Sequence, residues 1–248
     1  MKRYSPIDLK NHLEHIGVQK GDKLLVHSQL FSFGYIDGGV EKVYEALTDA
    51  VGSEGCLAFP SFTFSLSPRD VFSPRTRPDP NVGVLSGYVF DNIQFSRSLS
   101  PLHSYMICGA DRQRIHNKYG HNSFGNDSIF QFFEVSDYKM LLLGCSFQVG
   151  ATYLHHCEFI SRVPYRIEIE IDRRVEIDNQ IIDLQLIYFG RSSRDIKNSF
   201  YHVEQELEND GLLLTVPCTV GRSSIIRLNA MKDYVLSKLK IDPLYLLK

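Results

Sequence analysis

Three features of this 248-residue chain predict an α/β fold with a central mixed sheet flanked by helices. Lys23–His27, Val40–Val51 and Cys56–Phe59 read as strand, helix and strand at the spacing of a parallel crossover unit. Lys139-Met140-Leu141-Leu142-Leu143-Gly144 is a continuous apolar run, as expected of a buried strand. Ile167, Ile169 and Ile171 alternate with Glu168, Glu170 and Asp172, a period-2 strand with one wet face. Asp178-Asn179 then turns the chain into a second strand from Gln180 to Tyr188, so an antiparallel hairpin is expected as an addition to the sheet.

The other elements follow in order. Ser5-Pro6 caps a first helix, with Ile7, Leu9, Leu13 and Ile16 as its apolar side and Gly17 as its stop. Ser28–Gly39 is a glycine-bearing loop, and Val43, Leu47, Ala50 and Val51 face inward from the next helix. Pro60–Val82 is long and polar, a length usually reserved for functional loops. Gly83-Val84-Leu85 opens a helix to about Asn92, and Tyr105–Cys108 centres a strand. Ala110–Asn117 is a short basic helix, and His121–Ser128 is a loop in which Asp127 or Ser128 caps the helix to Phe133. Ala151 to about Arg162 is helical; Phe200–Asn209, Gly211–Val216 and Asn229–Lys240 read as helix, strand and helix. No linker interrupts the pattern, so residues 1–248 are expected to form a single domain.

Composition excludes several functions. With 27 basic against 29 acidic residues the net charge is -2, which offers no field for nucleic acid or a membrane surface. Five scattered cysteines suit a reduced, cytoplasmic protein rather than a disulfide scaffold. The N-terminus has no apolar signal region, and no apolar run is long enough to span a bilayer.

The chemistry is expected in Gly150-Ala151-Thr152-Tyr153-Leu154-His155-His156-Cys157-Glu158. His155 and Glu158 are three apart and project from one helical face, where a carboxylate can fix an imidazole's tautomer and raise its basicity. The same spacing also occurs in solvated or structural pairs. His155, His156 and Glu158 form no zinc motif, since adjacent histidines point to different sides of a helix. Cys145 or Ser146 at the strand end is a further nucleophile, although Gly144-Cys145-Ser146-Phe147-Gln148 lacks the second glycine of a nucleophile elbow.

Motifs along nearly the whole chain resemble those of the aminoglycoside 3-N-acetyltransferase family, which is distinct from the GNAT acetyltransferases. Val26-His27-Ser28-Gln29-Leu30 with Gly34, Phe59-Pro60-Ser61-Phe62-Thr63 and Gly83-Val84-Leu85 come first. Arg97-Ser98-Leu99-Ser100-Pro101-Leu102-His103-Ser104 with Gly109, and Phe124-Gly125-Asn126-Asp127-Ser128, follow. Leu142-Leu143-Gly144, Thr152 to Glu158, Val163-Pro164-Tyr165-Arg166, Val220-Gly221 and Asp242-Pro243 complete the order. Gln29, Ser61, Ser100 and Gly87-Tyr88 depart from the family pattern; the last two fall nearer the acceptor side.

The resemblance implies a CoA-dependent N-acetyltransferase with acetyl-CoA as co-substrate, an amino-sugar amine as acceptor and no metal. His155 would be the general base and Glu158 its orienting carboxylate. His27, Ser28, Gln29, Leu30, Ser61, Thr63, Val84, Leu85 and Ser104 would lie along the cofactor, with backbone N–H groups of Ser28-Gln29-Leu30 aimed at the oxyanion. Arg69, Arg75 and Arg77 are candidates for its phosphates, and Asp127 and Thr152 for the acceptor. A polycationic aminoglycoside needs carboxylates around its site, and no dense acidic cluster stands in these loops. A nucleotide-linked amino sugar of surface-polysaccharide biosynthesis would use cations such as Arg97, Arg112 or Arg191 instead. A relative that only binds CoA is the third reading. The acceptor, the acyl chain, the CoA phosphate contacts and the oligomeric state, a homodimer included, stay open at the level of sequence.

Overall fold

The computed structural model describes residues 3–115 and 122–247. In chain order the elements are β1 (Arg3–Tyr4), α1 (Pro6–His15), β2 (Lys23–Ser28), β3 (Tyr35–Ile36), α2 (Gly39–Val51), β4 (Cys56–Pro60) and β5 (Val71–Phe72). Next come α3 (Val84–Asn92), β6 (Ser96–Arg97), β7 (Tyr105–Gly109), α4 (Ile129–Val135), β8 (Lys139–Leu143), α5 (Phe147–Gly150) and α6 (Tyr153–Ile160). The chain ends with β9 (Arg166–Ile177), β10 (Gln180–Arg191), α7 (Tyr201–Asn209), β11 (Leu214–Pro217), β12 (Arg222–Arg227) and α8 (Leu228–Ile241). None of the described helices is long and apolar enough to cross a membrane.

Seven strands form the central mixed sheet in the order β11-β12-β8-β2-β4-β7-β6. β8, β2 and β4 are parallel at its centre; β12 and β7 flank them antiparallel. The apolar runs are continuous because both faces are covered. Leu24, Val26, Leu141 and Leu143 pack towards α1, α2 and α3. Leu25, Met140 and Leu142 pack towards α4, α6 and α8 on the other face. β12 was not legible in the sequence. Arg222-Ser223-Ser224-Ile225-Ile226-Arg227 holds two apolar residues, too few for a run or an alternation, yet each one reaches a different face of the core.

The first helix is capped as expected: Ser5 Oγ accepts from Asp8 N, and Asp8 accepts from Ser5 N at 2.8 Å. Ile7 leaves the predicted apolar side and is 70% exposed. The short basic helix is a 3₁₀ turn, Arg112–Ile115; Asn117 at its expected end lies outside the described residues, as does His121 of the next loop. Ser128, not Asp127, caps α4.

The hairpin lies where predicted, with Asp178 and Asn179 at positive φ in the turn. It pairs with β5 of the long loop in a separate three-stranded sheet rather than with the central one. Its isoleucine face is only partly covered. Ile167 is 49% exposed, whereas Val175 and Leu184 nearer the turn are buried in a small cluster with Phe72 and Leu99.

Candidate active site

The carboxyl ends of β2, β4 and β8 share one edge, the place where open α/β sheets bind ligands. A cleft of ≈ 330 Å³ opens there, at the low end for ligand sites. His27 and Ser28 from β2, Pro60 from β4, and Cys145 and Gly150 beyond β8 form its floor. Phe62, Phe64, His103 and Tyr188 form its walls, and Thr152 and His155 reach it from α6. Gly150 lets the helix approach this closely: a Cβ there would meet Leu142 at 2.7 Å and His27 at 3.1 Å.

His155 Nδ1 lies 2.6 Å from Glu158 Oε2. Glu158 is wholly buried, whereas 26% of the His155 side chain is exposed. Glu158 Oε1 accepts from Tyr165 OH at 2.8 Å and from Asn198 Nδ2–H at 2.5 Å. Arg166 Nε stands 2.7 Å from Oε2, a charge contact whose N–H is not aimed at the oxygen. Arg166 Nη2 is also 3.0 Å from His155 Nδ1. Both cannot be hydrogen bonds to one ring nitrogen, and the shorter carboxylate contact decides that Nδ1–H donates to Glu158. The Nε2 lone pair is then free, and Nε2 is the nitrogen left to accept a proton. Burial acts to raise the Glu158 carboxyl; the charge and hydrogen bond of His155, then Arg166 and Tyr165, outweigh it and hold it below its ordinary value.

The local sequence explains how these groups meet. α6 ends at Ile160, Arg162 takes φ 51, and Val163-Pro164 returns Tyr165 and Arg166 beneath the helix. Gln148 of α5 clamps the β10–α7 loop, donating to Asn198 O at 3.1 Å and accepting from Phe200 N at 2.9 Å. Tyr165 and Arg166 stand in the Val-Pro-Tyr-Arg motif, and Arg166 touches the pair directly. Asn198, His103 and Tyr188 had no role in the sequence reading; they reach the site through tertiary contacts that no local spacing signals.

Two histidines of the cleft, His27 and His103, are kept neutral. Burial lowers His27 to about 4, with Nε2 3.4 Å from Tyr105 OH. Burial, with the charges of His155 and Arg166, lowers His103 to about 3, and its buried Nδ1 has no protein partner. Burial pushes the Cys145 thiol up to about 12, far from a thiolate nucleophile. Ser146 does not line this cleft but a neighbouring one with Gln29 and Arg222.

Not every expected site residue is here. Ser61, Thr63 and Ser104 are buried beside the cleft, their hydroxyls bonded to one another or to the Pro101 and Ser61 carbonyls. Arg97, offered for a pyrophosphate, is buried too, bonded to Ser104 Oγ, Ser61 O and Thr76 O. The Gln29 amide, offered to the oxyanion, donates to Leu143 O at 2.9 Å, and Leu30 packs on the core. Leu85 is core, while Val84 is exposed on another groove with Arg77, which is paired to Asp91. Asp127 is exposed and bonds through its N–H to Gln131. Arg69 and Arg75 lie outside the cleft and Arg112 bonds Gln94. His156 turns away: its Nδ1 accepts from Gly125 N at 3.0 Å and its Nε2 faces Glu134 at 3.5 Å. Among the described residues no group of three or more His, Cys, Asp or Glu could hold a metal ion.

The profile of the family described as aminoglycoside 3-N-acetyltransferase matches residues 25–240. The chain is 27% identical over 179 residues to the SPbeta prophage-derived aminoglycoside N(3')-acetyltransferase-like protein YokD of Bacillus subtilis (strain 168). That alignment covers 62% of this chain and 64% of the relative, so the chain spans less than two thirds of its length. Aminoglycoside N(3)-acetyltransferase IV of Salmonella sp. is 27% identical over 247 residues, covering 97% of this chain and 89% of the relative. A solved structure, AAC-IIIb in a binary complex with CoASH, shares the fold with a TM-score of 0.84 at 18% identity, over 97% of both chains. The chain belongs to the aminoglycoside 3-N-acetyltransferase family.

Proposed function

We propose that this protein transfers the acetyl group of acetyl-CoA directly to a primary amine of an amino sugar. The observation that carries the reading is His155, paired through Nδ1 with a wholly buried Glu158 and lining a cleft at the parallel-strand ends. The aminoglycoside N(3)-acetyltransferases among the relatives, and the CoASH complex of a protein of the same fold, support it.

A primary amine attacks only when neutral, and it must lose a proton as its nitrogen bonds to the thioester carbon. His155 Nε2 takes that proton, and Glu158 stabilises the imidazolium that forms; such a base is worth about 10² to 10⁴ in rate. The C–S bond then breaks, and His155 returns the proton to the leaving thiolate. The cleft's aromatic walls, with the neutral His27 and His103 imidazoles, suit a slender chain of methylenes and amides. The Ser28 and Thr152 hydroxyls line the same space as donors for the oxyanion.

Thiol release from acetyl-CoA with a panel of aminoglycosides and simpler amino sugars tests the reading. Amine-dependent release that His155→Ala abolishes is expected. Release without an amine, or release sensitive to a thiol-blocking reagent at Cys145 but not to His155→Ala, overturns it in favour of a hydrolase.

A further inference from the structure

His155 borders two spaces. One is the cleft, whose described lining contains no Asp, Glu, Lys or Arg. The other is an open vestibule between α5, β10 and the loop to α7, which His155 shares with Arg166, Tyr188, Arg191, Lys197 and Asn198. Arg166 faces Glu158 and also donates to Phe189 O and Asn198 Oδ1. Its charge is therefore balanced by Glu158. Arg191 and Lys197 are exposed, and no carboxylate belongs to the described lining of either space.

That charge pattern is the reverse of what a polycation requires. An aminoglycoside seated beside His155 would face Arg191 and Lys197 at short range with no carboxylate to answer its ammonium groups. We propose that the acceptor is an anionic amino sugar, one bearing phosphate or carboxylate, held by Arg191 and Lys197 while its amine faces His155. The inference rests on the acetyl-transfer reading for the identity of the reacting group. CoA itself carries phosphates, but they sit at the far end of the pantetheine arm from the thioester. Cations in the space that touches the base are placed for the acceptor. Guanidinium and ammonium groups together suit a phosphate or carboxylate oxyanion.

Thiol-release kinetics on the whole protein test this with four acceptors: glucosamine, glucosamine 6-phosphate, a nucleoside-diphosphate amino sugar and tobramycin. An anionic acceptor should have at least tenfold higher kcat/KM than glucosamine, with tobramycin poorest. The nucleotide-linked compound separates a diphosphate from a monophosphate, and an amino uronic acid adds the carboxylate. The double variant Arg191→Gln/Lys197→Gln should raise KM for the best anion at least tenfold, with KM for acetyl-CoA unmoved. Lys197→Glu should shift preference towards tobramycin. Arg227→Gln, far away at the end of β12, is the control.

Preference for tobramycin overturns the inference. So does a double variant that weakens acetyl-CoA instead, because the cations would then serve the cofactor. Calorimetry of the same amines on the CoA-saturated protein decides the case in which no thiol is released. Tight binding of an anion, lost in the double variant, then supports the vestibule while the transfer reading fails. No binding of any anion overturns the vestibule. Release with every amine alike leaves the transfer reading standing and removes this one.

Discussion

α6 carries two adjacent histidines, each facing a carboxylate, and they stand in opposite surroundings. His155 gives its Nδ1 to Glu158 and lines the cleft. His156 accepts the Gly125 amide on Nδ1, so its proton sits on Nε2, which stands 3.5 Å from Glu134 without a hydrogen bond to it. It is buried among Phe130 and Tyr153 and ties the Gly125 loop and α4 to the helix. On the proposed mechanism, what would make His155 a base is which nitrogen is left free, more than the presence of a histidine–carboxylate pair.

The largest effect expected on that contrast is from His155→Ala. Turnover per folded molecule should fall about 10²- to 10⁴-fold, while CoA affinity by calorimetry changes little, since the imidazole acts mainly in the transition state. Glu158→Gln should cost less, and the double variant should be about as slow as His155→Ala alone, because the two work as one unit. If His156→Ala slows turnover per folded molecule as much as His155→Ala does, the contrast collapses.

His156→Ala should act on stability instead. It removes a buried ring and leaves the Gly125 N–H without its acceptor, at a cost of about 2–4 kcal/mol in denaturant unfolding. The Gly125 segment has little room to readjust, because it passes directly beneath the Phe159 ring: a Cβ on Gly125 would lie 2.1 Å from that ring.

Asn198→Ala sharpens the comparison on the catalytic side. The buried Glu158 would lose one donor and Arg166 one acceptor. We expect kcat to fall about tenfold, ~1.4 kcal/mol, with KM for acetyl-CoA unmoved. A matching fall in KM affinity would mark Asn198 as part of the cofactor site rather than a residue that positions the pair.

How legible this was in the sequence follows the range of each interaction. The His155–Glu158 pair lies within one helical turn, so spacing alone exposed it. The parallel centre of the sheet was legible because burial on both faces writes itself as apolar runs in β2 and β8. Asn198 lies 40 residues from Glu158, in a loop with no local signature, and could be found only in the folded chain. Ser61, Thr63 and Ser104 illustrate the opposite failure. Their motifs were recognisable, but a hydroxyl near a strand end reads the same whether it faces a ligand or, as here, a buried carbonyl, a neighbouring hydroxyl or Arg97. The hairpin was found and its partner was not, since pairing with β5 depends on a long loop whose path the sequence does not encode locally.

The smallest effect expected concerns acid. The His156 imidazole is the largest influence on Glu134; with the Lys232 ammonium it outweighs burial and brings the carboxyl down to about 2. In the unfolded chain the same group titrates near the ordinary glutamate value, about 4.3. Above that pH both states are ionised and the stabilisation is fully present. As pH falls below it, the unfolded chain binds the proton first, so stability is lost progressively down to about pH 2. The Glu134 side chain is 18% exposed, so screening limits the term to about 1–2 kcal/mol. His27 and His103, lowered to about 4 and 3, act in the same direction from about pH 6.5 downward. The acid limb of the wild-type protein alone therefore cannot isolate Glu134. The difference between wild type and Glu134→Gln can, because both histidines are common to the two proteins. Their unfolding free energies, measured in urea, should converge as pH falls from about 4.5 towards 2 and run parallel above it. His156→Ala, which removes the strongest pull on Glu134, should show a shallower loss across that window. Parallel curves throughout would mean that Glu134 is not held down by His156, and that the second pair on α6 is held by packing alone.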